Sequence, residues 1–133
     1  MCLDSNVLID IINGRELVRA RFGEARLSGR PLTISSLAAH EVLFGANISP
    51  RPVVQTKSAL ELLSTLTLAD FTWDDAVRAA ELRSELRRGG QPIGGFDMLI
   101  AGQALQRRWT VVTANTREFS RVAELEIEDW SKP

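Results

Sequence analysis

A chain of 133 residues, 44% hydrophobic and 25% charged, has the size and composition of one folded domain spanning residues 1–133, and is too apolar to stay disordered. Its net charge of −1 argues against a strongly basic nucleic-acid-binding surface. No apolar run reaches the roughly 20 residues of a membrane helix, so no membrane is expected among its partners.

The predicted elements alternate between strand and helix. Residues 1–4 read as a short strand, after which Ser5 can cap a helix carrying Val7, Leu8, Ile11 and Ile12 and closed by Asn13-Gly14. Residues 15–27 form a second helix, with Leu17, Val18, Phe22 and Leu27 on one side, and 28–31 form a turn. A buried strand at 32–35 leads into a third helix over 36–46, which the two prolines in 47–52 break. A fourth helix covers about 52–65, an extended stretch 67–72, and a long helix 73–88. The segment 89–95 holds four glycines and a proline and is the most flexible part of the chain. A helix over 96–108 and a strand over 109–113 follow, then a loop over 115–122 with one helical turn and a last short strand at 125–127. Alternation of this kind implies a parallel sheet covered by helices on both faces, with ligands held beyond the carboxyl ends of its strands.

Three acids, Asp4, Glu41 and Asp97, sit in apolar segments near the predicted strand-to-helix junctions. A carboxylate in such a setting is costly to bury alone and calls for a partner or a metal. Acids drawn from three distant segments suit one hard cation, because Mg²⁺ and Mn²⁺ prefer oxygen ligands. The lone Cys2 excludes an internal disulfide and a cysteine-built zinc site, and fits a reducing cytoplasm. His40, the only histidine, excludes a histidine metal cluster; it adjoins Glu41 but points elsewhere, since successive helix positions lie about 100° apart. Only Lys57 and Lys132 of the 16 basic residues are lysines, and arginine's planar fork suits phosphate and carboxylate alike.

Four motifs lie in register along the chain: Leu3-Asp4-Ser5-Asn6-Val7-Leu8-Ile9, His40-Glu41-Val42-Leu43-Phe44-Gly45, Phe96-Asp97-Met98-Leu99-Ile100-Ala101 and Val112-Thr113-Ala114-Asn115-Thr116-Arg117-Glu118-Phe119. Together they resemble PIN domains, and more narrowly the VapC-type toxins of toxin–antitoxin pairs. The resemblance implies a three-layer α/β/α fold with a central parallel sheet. It also implies a Mg²⁺-dependent endoribonuclease, with Mn²⁺ as a substitute, that cleaves RNA by metal-activated water. A cognate VapB-type antitoxin would hold it in check, and relatives commonly form homodimers. Asp4, Asp97 and Glu41 match the metal-binding and catalytic acids, and Asn6 matches a position lining the site. Thr113, Asn115, Arg117 and Glu118 are supporting residues.

The chain departs from many relatives at Asn115, where an acid is frequent. Asn115 can offer a neutral oxygen but no charge, and Glu118 is the nearest carboxylate in sequence. This departure favours one well-bound ion over two, and it leaves a catalytically silent PIN-like binding module as the alternative. A phosphatase-like enzyme with Asp4 as nucleophile would need a second Asp two residues on, where Asn6 stands.

Overall fold

The computed structural model describes residues 1–133. Its sheet has five short parallel strands: β1 (Cys2–Leu3), β2 (Thr33–Ser35), β3 (Thr67–Ala69), β4 (Val111–Val112) and β5 (Ile127–Glu128), in the order β3-β2-β1-β4-β5. Seven helices complete the chain: α1 (Ser5–Ile12), α2 (Glu16–Leu27), α3 (Ser36–Asn47), α4 (Pro52–Leu63), α5 (Trp73–Arg88), α6 (Gly95–Arg107) and α7 (Thr116–Phe119). This is the α/β fold with a central parallel sheet that the alternating pattern implies.

The central strands β1, β2 and β4 are buried on both faces, while the edge strands β3 and β5 are partly exposed. Leu3, Ile34, Val111 and Val112 are fully buried at the centre of the core. From β1 the chain steps to β2 and β3 on one side of the sheet, and it later returns to place β4 and β5 on the other. The junction of β1 and β4 is therefore the topological switch point, where a crevice opens beyond the strand ends. Register sharpens this: Leu3 pairs with Val112, so Asp4 and Thr113 leave the sheet side by side.

Several boundaries differ from the sequence reading: β3 covers only part of the extended stretch 67–72, β4 only part of 109–113, and α4 stops at Leu63. Ser5 does not cap α1; Asp4 does, its Oδ1 accepting the Ser5 amide N–H at 2.8 Å. The last strand lies at Ile127–Glu128 rather than 125–127, because the Leu125 amide is spent on a turn to the Val122 carbonyl. Gly14, at φ +81°, takes the left-handed conformation that ends α1 and turns the chain into α2.

Helices α5 and α6 pack closely at Gly102, where a Cβ would lie 2.5 Å from both Cα and Cβ of Ala79. A buried polar network pins the same pair. Asp75, with no exposed side-chain surface, takes Arg107 Nη2 at 2.8 Å, Arg107 Nε at 3.2 Å and Gln103 Nε2 at 3.3 Å. Asp75 also closes a capping box with Thr72 at the start of α5.

Candidate active site

Asp4 is buried at the end of β1 and is held by three donors. Its Oδ1 accepts Ser5 N–H, and its Oδ2 accepts the Thr113 hydroxyl at 2.8 Å and Asn6 Nδ2 at 3.1 Å. Asn6 ties the two strand ends together: its Oδ1 accepts the Ala114 amide at 3.2 Å, and its Nδ2 also reaches Thr113 Oγ1 at 3.3 Å. The Thr113 hydroxyl in turn accepts the Asn115 amide at 3.0 Å. Burial pushes the Asp4 carboxyl up, and these hydrogen bonds only partly oppose it.

A second carboxylate pair stands on the far side of Thr113. Asp97, in the first turn of α6, and Glu118, on α7, both accept from Asn115 Nδ2, at 2.7 and 3.1 Å. Burial raises the Asp97 carboxyl to about 7, with a hydrogen bond to Glu118 and the negative charges of Asp4 and Glu118 adding to the rise. Glu118 moves the opposite way, held down by its hydrogen bonds with Asp97 and Asn115. The two shifts run in opposite directions because close carboxylates resist being charged together.

Glu41 comes from α3 and makes no side-chain hydrogen bond, yet it feels the site: burial raises its carboxyl, and the charge of Asp4 raises it further. Asp4, Asn6, Asp97, Thr113, Asn115 and Glu118 therefore form one hydrogen-bonded set, with Glu41 coupled to it through charge. No salt bridge reaches any of the four acids. No three acidic, histidine or cysteine side chains stand close enough to form a preassembled metal cage. Gly94 borders the acids: a Cβ there would lie 3.5 Å from Glu118 Oε2 and 3.9 Å from Asp97 Oδ2.

The geometry of Asn115 differs from the sequence reading. Asn115 presents its amide nitrogen to the acids, not an oxygen, because two facing carboxylates demand a donor. Arg117 is exposed and its side chain bonds to none of these residues. His40 makes no hydrogen bond to the acids; its ring is exposed and stacks beside Phe44 and Phe96.

Acids gathered at the switch point of a small parallel sheet define a class of fold, and residues 1–125 match the model of the PIN domain. The chain belongs to the PIN-domain family, on its VapC ribonuclease branch. It is 38% identical over 130 residues to the tRNA(fMet)-specific endonuclease VapC of Shigella flexneri, covering 97% of this chain and 96% of that protein. Ribonuclease VapC2 of Rickettsia felis is 34% identical over 131 residues, covering 98% and 97% of the two chains. Among solved structures, a chain of the DNA-bound VapBC complex from Salmonella typhimurium superposes with a TM-score of 0.88 at 36% identity, covering 97% of this chain and 96% of that one.

Proposed function

We propose that the chain, as a single PIN domain over residues 1–133, is the ribonuclease toxin of a toxin–antitoxin pair. It would act in the cytoplasm on RNA, depend on Mg²⁺ or Mn²⁺, and be restrained by a VapB-type antitoxin. The observation that carries this reading is the hydrogen-bonded convergence of Asp4 with Thr113 and of Asp97 with Glu118 through Asn115. The relatives named as VapC ribonucleases, and the toxin–antitoxin complex that shares the fold, support it.

The residues fit a hard divalent ion. All four acids offer oxygen, no salt bridge neutralises them, and Gly94 leaves space beside Asp97 and Glu118 that a side chain would narrow. A preassembled cage is unnecessary, since Mg²⁺ keeps several of its waters and takes few direct protein ligands. Asp4 and Asp97 would hold the ion, with Glu41 and Glu118 ligating directly or through water. When bound, the ion supplies charge neutralisation at the phosphate and an activated water.

The chain's own residues do the rest. The Ser5 amide, Asn6 and Thr113 fix Asp4 in one orientation, so little reorganisation remains when substrate arrives. Because burial and neighbouring acids raise the Asp97 carboxyl, ligating an ion would require it to lose its proton, and binding would then be linked to pH. Asn115 keeps Asp97 and Glu118 together despite their charges. Glu118 provides the fourth carboxylate that Asn115 lacks, which favours an active enzyme over a silent binding module.

Purified protein incubated with single-stranded RNA and Mg²⁺ tests the proposal. Cleavage is expected, stopped by chelation and by Asp4→Asn, and growth arrest on expression should disappear with Asp4→Asn or with co-expressed antitoxin. Cleavage by Asp4→Asn at the parent rate would overturn it.

A further inference from the structure

Three aromatic rings, His40, Phe44 and Phe96, take no part in the hydrogen-bonded acidic set. His40 precedes Glu41 on α3, Phe44 lies one helical turn beyond it, and Phe96 precedes Asp97 on α6. Their rings run in a row, Phe96, His40, Phe44. The Phe96 and His40 centroids are 5.9 Å apart with planes 21° from parallel; His40 and Phe44 are 6.4 Å apart at 12°. The row is open to solvent, with Phe44 56% and Phe96 42% exposed. Core packing therefore does not explain it, and two of its three members are sequence neighbours of acids in the site.

We infer that Phe96, His40 and Phe44 form a stacking strip for the bases of single-stranded RNA on one side of the scissile phosphate. This rests on the ribonuclease reading of the site. The exposed rings lie side by side in one short row and offer aromatic surface on which bases stack without regard to their identity. Charge gives a second reason. The chain carries a net charge of −1 and its site gathers acids, so counterion release from phosphates cannot supply the usual share of affinity. Stacking is the sequence-tolerant contribution that does not depend on positive charge. A protein partner would use the same apolar surface but has no need of aligned ring planes. His40 and Phe96 adjoin Glu41 and Asp97 in sequence, which places the row next to the elements that carry the acids.

The test uses the full chain and a fluorogenic single-stranded RNA oligonucleotide with Mg²⁺. Phe44→Leu keeps an apolar side chain of similar reach and removes the π-face. It is expected to raise KM on the order of tenfold with a smaller change in kcat. Independently of any variant, the parent should lose a comparable factor on oligonucleotides carrying one abasic nucleotide, at one or more positions on one side of the cleaved bond. Phe44→Leu should then be insensitive to the abasic substitution at the position that Phe44 contacts. A merely structural role for Phe44 would not produce that non-additivity. If the parent cleaves but neither abasic substrates nor Phe44→Leu changes KM, the strip does not bind RNA. The same holds if Phe44→Leu weakens antitoxin binding alone, which would make the row a protein-docking surface. Failure of the parent to cleave any RNA would instead defeat the ribonuclease reading itself.

Discussion

Replacing Asp97 by Asn should stabilise the metal-free protein while it removes activity. Asn keeps an oxygen to accept from Asn115 Nδ2, which sits 2.7 Å from Asp97 Oδ2, and it deletes the charge that Asp4 and Glu118 oppose. The sign follows from the Asp97 carboxyl, raised in the fold from an ordinary 3.8 to about 7. Between those values the folded chain binds a proton that the unfolded chain has released, so stability falls as pH rises through the window. It is flat again above about 7. Water reaches this partly exposed group and screens the penalty, leaving a cost of about 1–2 kcal/mol at pH 8. For a chain of this length each kcal/mol moves Tm by roughly 3–5 °C. In EDTA at pH 8, thermal melts followed by circular dichroism should therefore place Asp97→Asn about 3–10 °C above the parent. At pH 5 the gain should shrink, because folded Asp97 is already protonated in the parent. Mg²⁺ should raise the parent's Tm and leave the variant nearly unmoved. An unchanged or lower Tm for the variant at pH 8, or an equal gain at pH 5, would refute the electrostatic reasoning.

Asn115→Asp removes the donor that bridges Asp97 and Glu118 and adds a third negative charge; calorimetry should give tighter Mn²⁺ binding and melts in EDTA a lower Tm, and no change in either would contradict its placement. Gly102→Ala should destabilise the chain by about 3 kcal/mol or more, because its Cβ would strike the Cα, Cβ and N of Ala79, backbone that no rotamer relieves; urea unfolding at the parent midpoint would contradict the α5–α6 packing. Arg107→Met strands the Asp75 carboxylate without its charge partner and should cost about 3 kcal/mol at pH 7 by urea unfolding. Burial pushes Asp75 up, but hydrogen bonds from Arg107 and Thr72 outweigh it and hold the carboxyl below its ordinary value; the pair's contribution is thus present above about pH 4 and lost on further acidification, so the gap between variant and parent should narrow there.

Much of the fold could be read from local pattern. The alternation of short apolar runs such as Leu32-Thr33-Ile34 with amphipathic segments was enough to place all five strands and the long helices, and the acids stood out because each interrupts an apolar stretch. What escaped were pairings across space. Asp4 and Thr113 are 109 residues apart, and the Asp75–Arg107 pair spans 32; only strand order and helix packing bring them together. Asn115 is the instructive case. Its residue type suggested a weakened ligand, while its neighbours, Asp97 and Glu118, make it a donor that holds two carboxylates together. Glu118, three residues on, could have been weighted more heavily, since one helical turn carries it back towards Asn115. Nothing in the sequence marks Gly102 as a helix contact. It lies inside an ordinary helical pattern, and only the partner helix reveals the need for glycine.

Acids from distant segments are expected to serve one ion beyond β1 and β4. Anomalous X-ray scattering from crystals soaked in Mn²⁺ tests it most directly. The expected result is a single strong peak among Asp4, Glu41, Asp97 and Glu118, lost in crystals of Asp4→Asn. A peak elsewhere on the protein, or one at this site that persists unchanged in Asp4→Asn, would contradict it.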